Sequence, residues 1–112
     1  MNAPRLTRRL ELQERVDTQD GMGGASVAWT TLGTLWAEMR PRTGRSELVA
    51  GRESERQPWR ITVRGAPVGA VQRPRPDQRF REGSRVFDIL SVAEADGEGR
   101  FLTCFAEEGI DA

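Results

Sequence analysis

A chain of 112 residues carrying 17 basic and 17 acidic side chains has no net charge at pH 7, one cysteine and no histidine. That size predicts a single domain over residues 1–112 with one core. No run nears the ~20 apolar residues of a membrane span and Met1–Arg5 lack an apolar signal core, so a cytoplasmically made protein without a membrane partner is expected. A lone cysteine rules out an internal disulfide, and without histidine there is no zinc-ligand set, no Ser-His or Cys-His pair and no ordinary near-neutral acid or base. Catalytic residues, metals and cofactors are therefore none in this reading. Glu107-Glu108 and Glu53 with Glu55 sit in charged, solvated surroundings that leave carboxylate pKa values ordinary.

In chain order, Leu6, Leu10, Leu12 and Val16 fall at even positions, the period of a strand with one buried face. Asp17 to Gly24 is dense in turn formers, and Gly21-Met-Gly23-Gly24 reads as a hairpin tip rather than a phosphate loop, since no Gly-Lys-Ser follows. Ser26–Thr31 resumes extended character. After a break at Gly33, Leu35–Arg40 reads as another strand, ended by Pro41. Residues 41–57 lose periodicity and read as a projecting loop, in which Ser46 could cap a helix of one or two turns before Ala50.

Trp59, Ile61 and Val63 then alternate with Arg60, Thr62 and Arg64, the clearest period-two pattern in the chain. A bent connection at residues 65–69 and a run rich in proline and arginine, Gln72–Gly83, lead to two closing strands, Arg85–Val92 and Arg100–Glu107, joined by a turn at Asp96–Gly99. About six short strands with long loops predict a mainly β fold, a small antiparallel β-barrel with at most one short helix. Phe80, Phe87 and Ile89 are expected in its core. Cys104, between Leu102 and Phe105, is expected as a small buried side chain. Trp29, Trp36 and Trp59 are expected as core or subunit anchors.

Every basic residue is an arginine, whose planar fork suits paired contacts with carboxylates or phosphates, although a GC-rich genome gives the same bias. Charge is unevenly spread. From Arg40 to Arg85 twelve arginines face five acids, whereas from Asp88 onward seven acids face Arg100 alone. This division predicts one basic and one acidic surface, suited to head-to-tail self-association or to DNA on the basic side.

Several segments, in this order, resemble the head-tail joining (head-closure, or stopper) proteins of long-tailed bacteriophages and gene transfer agents. They are Trp29 before Leu35-Trp36-Ala37-Glu38-Met39-Arg40-Pro41, the Thr43–Glu47 loop, Trp59–Arg64, and Phe80–Val92 with Gly83, Phe87 and Ile89. The chain departs from that pattern at Gly65, where members often carry an aromatic residue, and in the extra proline and arginine of Gln72–Arg81.

The resemblance implies a structural connector in the neck of a virion or virus-like particle. It would form a homo-oligomeric ring with adaptor and portal proteins on the head side, a tail terminator protein on the tail side and packaged double-stranded DNA in the channel. Carried onto this chain, the channel-facing loop would present Arg42, Arg45, Glu47, Arg52, Glu53, Glu55 and Arg56. Arg73, Arg75, Arg79 and Arg81 would be available to an adjacent ring or to DNA. A different class also fits a small barrel rich in arginine: a module binding single-stranded nucleic acid through Arg and exposed Trp. The zero net charge, the absence of Tyr and an aromatic content of 6% count against it.

Overall fold

The computed structural model describes residues 3–19, 21–42, 48–49, 52–53 and 56–110. Every regular element among them is a strand: β1 Arg8–Gln19, β2 Ala25–Pro41, β3 Leu48–Val49, β4 Arg52–Glu53, β5 Pro58–Arg64, β6 Arg79–Glu82, β7 Arg85–Glu94 and β8 Phe101–Gly109. Six of these close on themselves in the order β1-β2-β5-β8-β7-β6, each antiparallel to its neighbours, while β3 and β4 pair only with one another. Closure removes the free edges that an open sheet of this size would carry.

The core is filled by the inward-facing alternate residues of all six closing strands. Leu10, Leu12, Ala37, Ile61, Val63, Phe80, Phe87, Ile89, Leu102, Cys104 and Ala106 form one buried cluster, with Leu32, Leu35, Met39, Trp59 and Val92 packed against it. Cys104 lies fully buried there, and burial pushes its thiol up to about 12. Glycines serve the turns: Gly21 and Gly23 hold positive φ at the β1–β2 tip, and Gly97 and Gly99 do so between β7 and β8.

Four expectations are corrected. Gly33 does not end a strand, because β2 runs through it. Leu12 faces Gly33 while Gln13 faces Thr31, so Leu32 is accommodated as a bulge and the ladder continues on both sides. The proline- and arginine-rich run contains a strand that the sequence reading left out. Phe80 of β6, fully buried opposite Phe87, closes the barrel, with Glu11–Gln13 of β1 on its other side. No helix occurs at 46–50 among the described residues, since Leu48 and Val49 pair antiparallel with Glu53 and Arg52; Ser46 itself lies outside the described residues. Val16 does not continue a buried face. β1 has by then left the barrel, its pairing with β6 ending at Gln13, so Val16 is exposed.

The β1–β2 hairpin is longer than the barrel that holds it. β1 pairs with β6 only over Glu11–Gln13 and β2 pairs with β5 only from Ala37 onward, yet the two strands stay paired with each other out to Gln19 and Ala25. The outer half is thus a two-stranded ribbon, and it gives the described residues a long axis of 54 Å against 33 and 24 Å across.

Candidate functional site

The segment that leaves β2 at Pro41 and returns at Pro58 is rooted on one spot of the barrel rim. The Arg42 amide donates to the Pro58 carbonyl at 3.0 Å, and the Gln57 side-chain amide donates to the Arg42 and Pro58 carbonyls at 3.3 and 2.8 Å. The Glu108 amide donates to the Gln57 carbonyl at 2.9 Å, tying the returning chain to β8. Arg56 completes the root: Nε donates to the Glu108 carbonyl at 3.1 Å, and Nη2 pairs with Asp88 of β7 and reaches the Glu107 carbonyl at 3.3 Å. On the departing side, the Arg42 guanidinium lies 5.1 Å from the centre of the Phe105 ring.

Arg60 approaches the same ring at 5.7 Å and sits directly opposite Arg40 in the β2–β5 register. Arg40, Pro41, Arg42 and Arg60 line an open concavity of about 350 Å³ beside the root. Arg40 is paired to Glu38 at 3.1 Å, which offsets part of the repulsion between two like charges facing across strands. Arg60 was not among the residues nominated from sequence. Its place in the Trp59–Arg64 alternation, on the charged face, is the signal that could have found it.

A second feature adjoins the root. Arg8 of β1 donates from Nε to Glu82 at 2.8 Å; Arg85 lies 4.0 Å from the same carboxylate and forks onto Glu108 at 2.9 and 3.1 Å. Glu108 also accepts from the Trp59 indole N–H at 3.2 Å. Hydrogen bonding to Arg85, outweighing partial burial, holds the Glu108 carboxyl below its ordinary value of 4.5, and Arg8 does the same for Glu82. The C-terminal acids were expected to keep ordinary values. For Glu108 they do not, because it belongs to β8 and faces a fixed guanidinium.

These pairs also correct the expected division into a basic and an acidic face. Asp88 and Glu107 pair with Arg56, Glu108 with Arg85, and Asp96 and Glu98 with Arg100. The antiparallel ladder β5-β8-β7-β6 brings the acid-rich end of the chain against its arginine-rich middle, so part of the charge separated in sequence is paired in space, at Arg56 and Arg85, while Asp96 and Glu98 pair within their own stretch.

The remaining nominated residues are dispersed. Arg45, Glu47 and Glu55 lie outside the described residues; Arg52 and Glu53 belong to β4. Arg73 donates to the Ala66 carbonyl at 2.8 Å, Arg75 pairs with Glu14 at 2.8 Å, and Arg81 donates to the Gly83 carbonyl at 2.8 Å. Arg79 is only 4% exposed. It donates to Gln13 at 2.7 Å and lies 4.1 Å over the Trp29 ring, so it braces the base of the ribbon. Of the tryptophans, Trp59 packs against the core and meets Phe87 edge-on at 5.9 Å, and Trp29 is half-buried under Arg79. Trp36 is 55% exposed and is not a core residue, because it alternates with Leu35 and Ala37, which take the inward face.

A closed barrel whose charged side chains fasten strands and loop roots, with a long ribbon extending from it, defines a structural assembly module. The chain belongs to the phage head completion protein family, whose model matches residues 1–109; it is a structural component of a phage-type head-tail assembly. It is similar, at 46% identity and a TM-score of 0.77, to a chain in the solved structure of the virion of a native gene transfer agent particle. That match covers 97% of this chain and 100% of the other. No curated protein matches.

Proposed function

We propose that this chain is a non-enzymatic connector whose copies form a ring in the particle neck, between the portal-adaptor complex and the tail. The ring closes the channel on packaged double-stranded DNA and offers the docking surface to the tail terminator. Residues 1–112 act as one domain whose segment 41–57 projects into the channel. The similarity to a chain of a gene transfer agent virion supports a place in such a particle.

The observation that carries the gating reading is the common root of that segment. Arg42 and Arg56 are held to adjoining positions of one rim, by Phe105 on one side and by Asp88 and Glu107 on the other. A segment tied at both ends moves as a strap rather than as a free tail. In a ring, each copy of Arg45 and Arg52 would add to a positive collar that attracts phosphate, and Glu47, Glu53 and Glu55 would pair with arginines of the next copy to hold the collar shut.

Deleting residues 43–55 while keeping Arg42 and Arg56 tests this. The variant is expected to fold and melt close to the parent, while particles that carry it lose packaged DNA or fail to join tails. Particles that keep their DNA and acquire tails at the parental frequency would overturn the gating reading.

A further inference from the structure

Among the described residues the outer edge of β2 from Ala25 to Trp36 has no strand beside it, and no residue in that stretch is charged. At about 3.3 Å per residue the open edge is roughly 40 Å long. Soluble proteins usually protect such an edge with lysine, proline or a covering element. Here it consists of Ala, Ser, Val, Trp, Thr, Leu and Gly, including the exposed Val27 and Trp36. The other side of the same ribbon is open as well, because β1 loses its β6 neighbour after Gln13 and has no further strand beside Glu14 to Gln19 among the described residues, although Arg75 reaches Glu14. A two-stranded ribbon without a further strand is only marginally stable in water. This one nevertheless carries strand pairing to its tip.

We infer that this ribbon is an interface between copies of the chain, in which the free edge of β2 in one copy receives the free edge of β1 in the next. The inference rests on the ring proposed above and adds which surfaces join it. Geometry selects the pairing. Rotation about an axis running along the ribbon leaves strand directions nearly unchanged, so β1 of each copy arrives beside β2 of its neighbour running the opposite way. The contact is then an antiparallel ladder, the same kind that joins the two strands within one copy. Repeated around the axis it covers each β1 edge and the Ala25–Thr30 half of each β2 edge, whereas an isologous pairing of two β2 edges would leave both β1 edges bare. Charge is compatible. Glu14, Arg15 and Asp17 on the β1 side meet an uncharged strand, so no like charges face each other.

The test compares the full-length parent with a double variant, Ala28→Lys and Thr30→Lys, which puts two charges at exposed positions of the open edge. A control carries Ser84→Lys and Ser91→Lys, exposed positions on the closed barrel. Circular dichroism checks that all three melt alike. Self-association is followed by sedimentation over a concentration series and by incorporation into particles, and amide exchange is followed in the assembled ring. Parent and control are expected to assemble, the edge variant to assemble at least tenfold less, and the edge-facing amides among residues 25–30 to slow at least tenfold on assembly. If rings form but these amides exchange as fast as in the free chain, or the edge variant assembles normally, the edge pairing is wrong and the ring reading stands. Protection that appears only after another head-tail protein is added would assign the edge to a different partner and overturn the inference. A chain that stays monomeric both free and in particles removes ring and edge pairing together.

Discussion

Gly65 offers a decisive measurement, because two opposed effects of one methyl group can be weighed from the structure. Its amide donates to the Arg100 carbonyl at 2.7 Å, which draws the end of β5 against the turn between β7 and β8. A Cβ placed there would lie 1.9 Å from the Gly99 carbonyl oxygen and 3.1 Å from the Arg100 carbonyl carbon, whereas ordinary contact begins at 3.4 Å. Backbone would have to retreat by about 1.5 Å, and forced repacking of this kind typically costs ~1–3 kcal/mol. The φ of Gly65 is not positive, so alanine restricts the unfolded chain without local strain and returns about 0.4–1 kcal/mol. The net expectation for Gly65→Ala is a loss of ~1–2 kcal/mol, or a melting temperature lower by roughly 5–15 °C for a domain of this size. Gly33→Ala is the internal comparison. Nothing lies within 4 Å of its Cβ position, its φ is not positive either, and it should be neutral or gain up to about 1 kcal/mol. Urea and thermal unfolding of both variants measure the difference. A Gly65→Ala protein at least as stable as Gly33→Ala would refute the close approach.

Two further outcomes follow from the charged rim and the core. Because the Glu108 carboxyl is held below 4.5 in the folded state, its pairing contributes stability that is complete above that value and is lost as pH falls through the lower folded value. Glu108→Gln should cost ~1 kcal/mol near pH 7, with the gap to the parent closing as the pH falls below 4.5 and through the lower folded value; a gap independent of pH in denaturant titrations would contradict the assignment. Cys104, fully buried and with its thiol pushed up to about 12, should react with a disulfide reagent at pH 8 only as fast as the chain opens. Labelling in native buffer at the rate seen in denaturant would show that the core is not closed around it.

Much of the barrel was legible because its signals are local. The alternation of Trp59, Ile61 and Val63 located β5, the runs Arg85–Val92 and Arg100–Glu107 located β7 and β8, and the glycines at 21 and 23 marked a tip that the structure confirms. What escaped depends on partners distant in sequence. Phe80 is flanked by Arg79 and Arg81 and shows no alternation of its own, so β6 becomes recognisable only when Phe87 and Leu12 supply its neighbours. Gln13 and Arg79 sit opposite each other on the face of the ladder away from Leu12 and Phe80, a buried polar contact that period-two patterning cannot anticipate. The charge division misled for a related reason. Counting along the chain separates arginines from acids, while an antiparallel ladder folds one stretch back upon the other. At the root of the 41–57 segment, Arg42 and Arg56 drew attention for their charge; their contacts with Phe105 and Asp88 depend on residues the sequence places far away.

The seam between β1 and β6 carries a consequence for the order of events during synthesis. Its ladder joins Glu11 to Arg81, Leu12 to Phe80 and Gln13 to Arg79, with the Arg8–Glu82 pair beside it, yet the cylinder cannot shut until β8, the last strand made, takes its place between β5 and β7. The first hairpin emerges early and waits, its apolar side covered by no lid, while the segment that completes the circle is still being made. The circle therefore stays open between β5 and β7 until Phe101–Gly109 has been made, and the unfinished sheet exposes its apolar side until then.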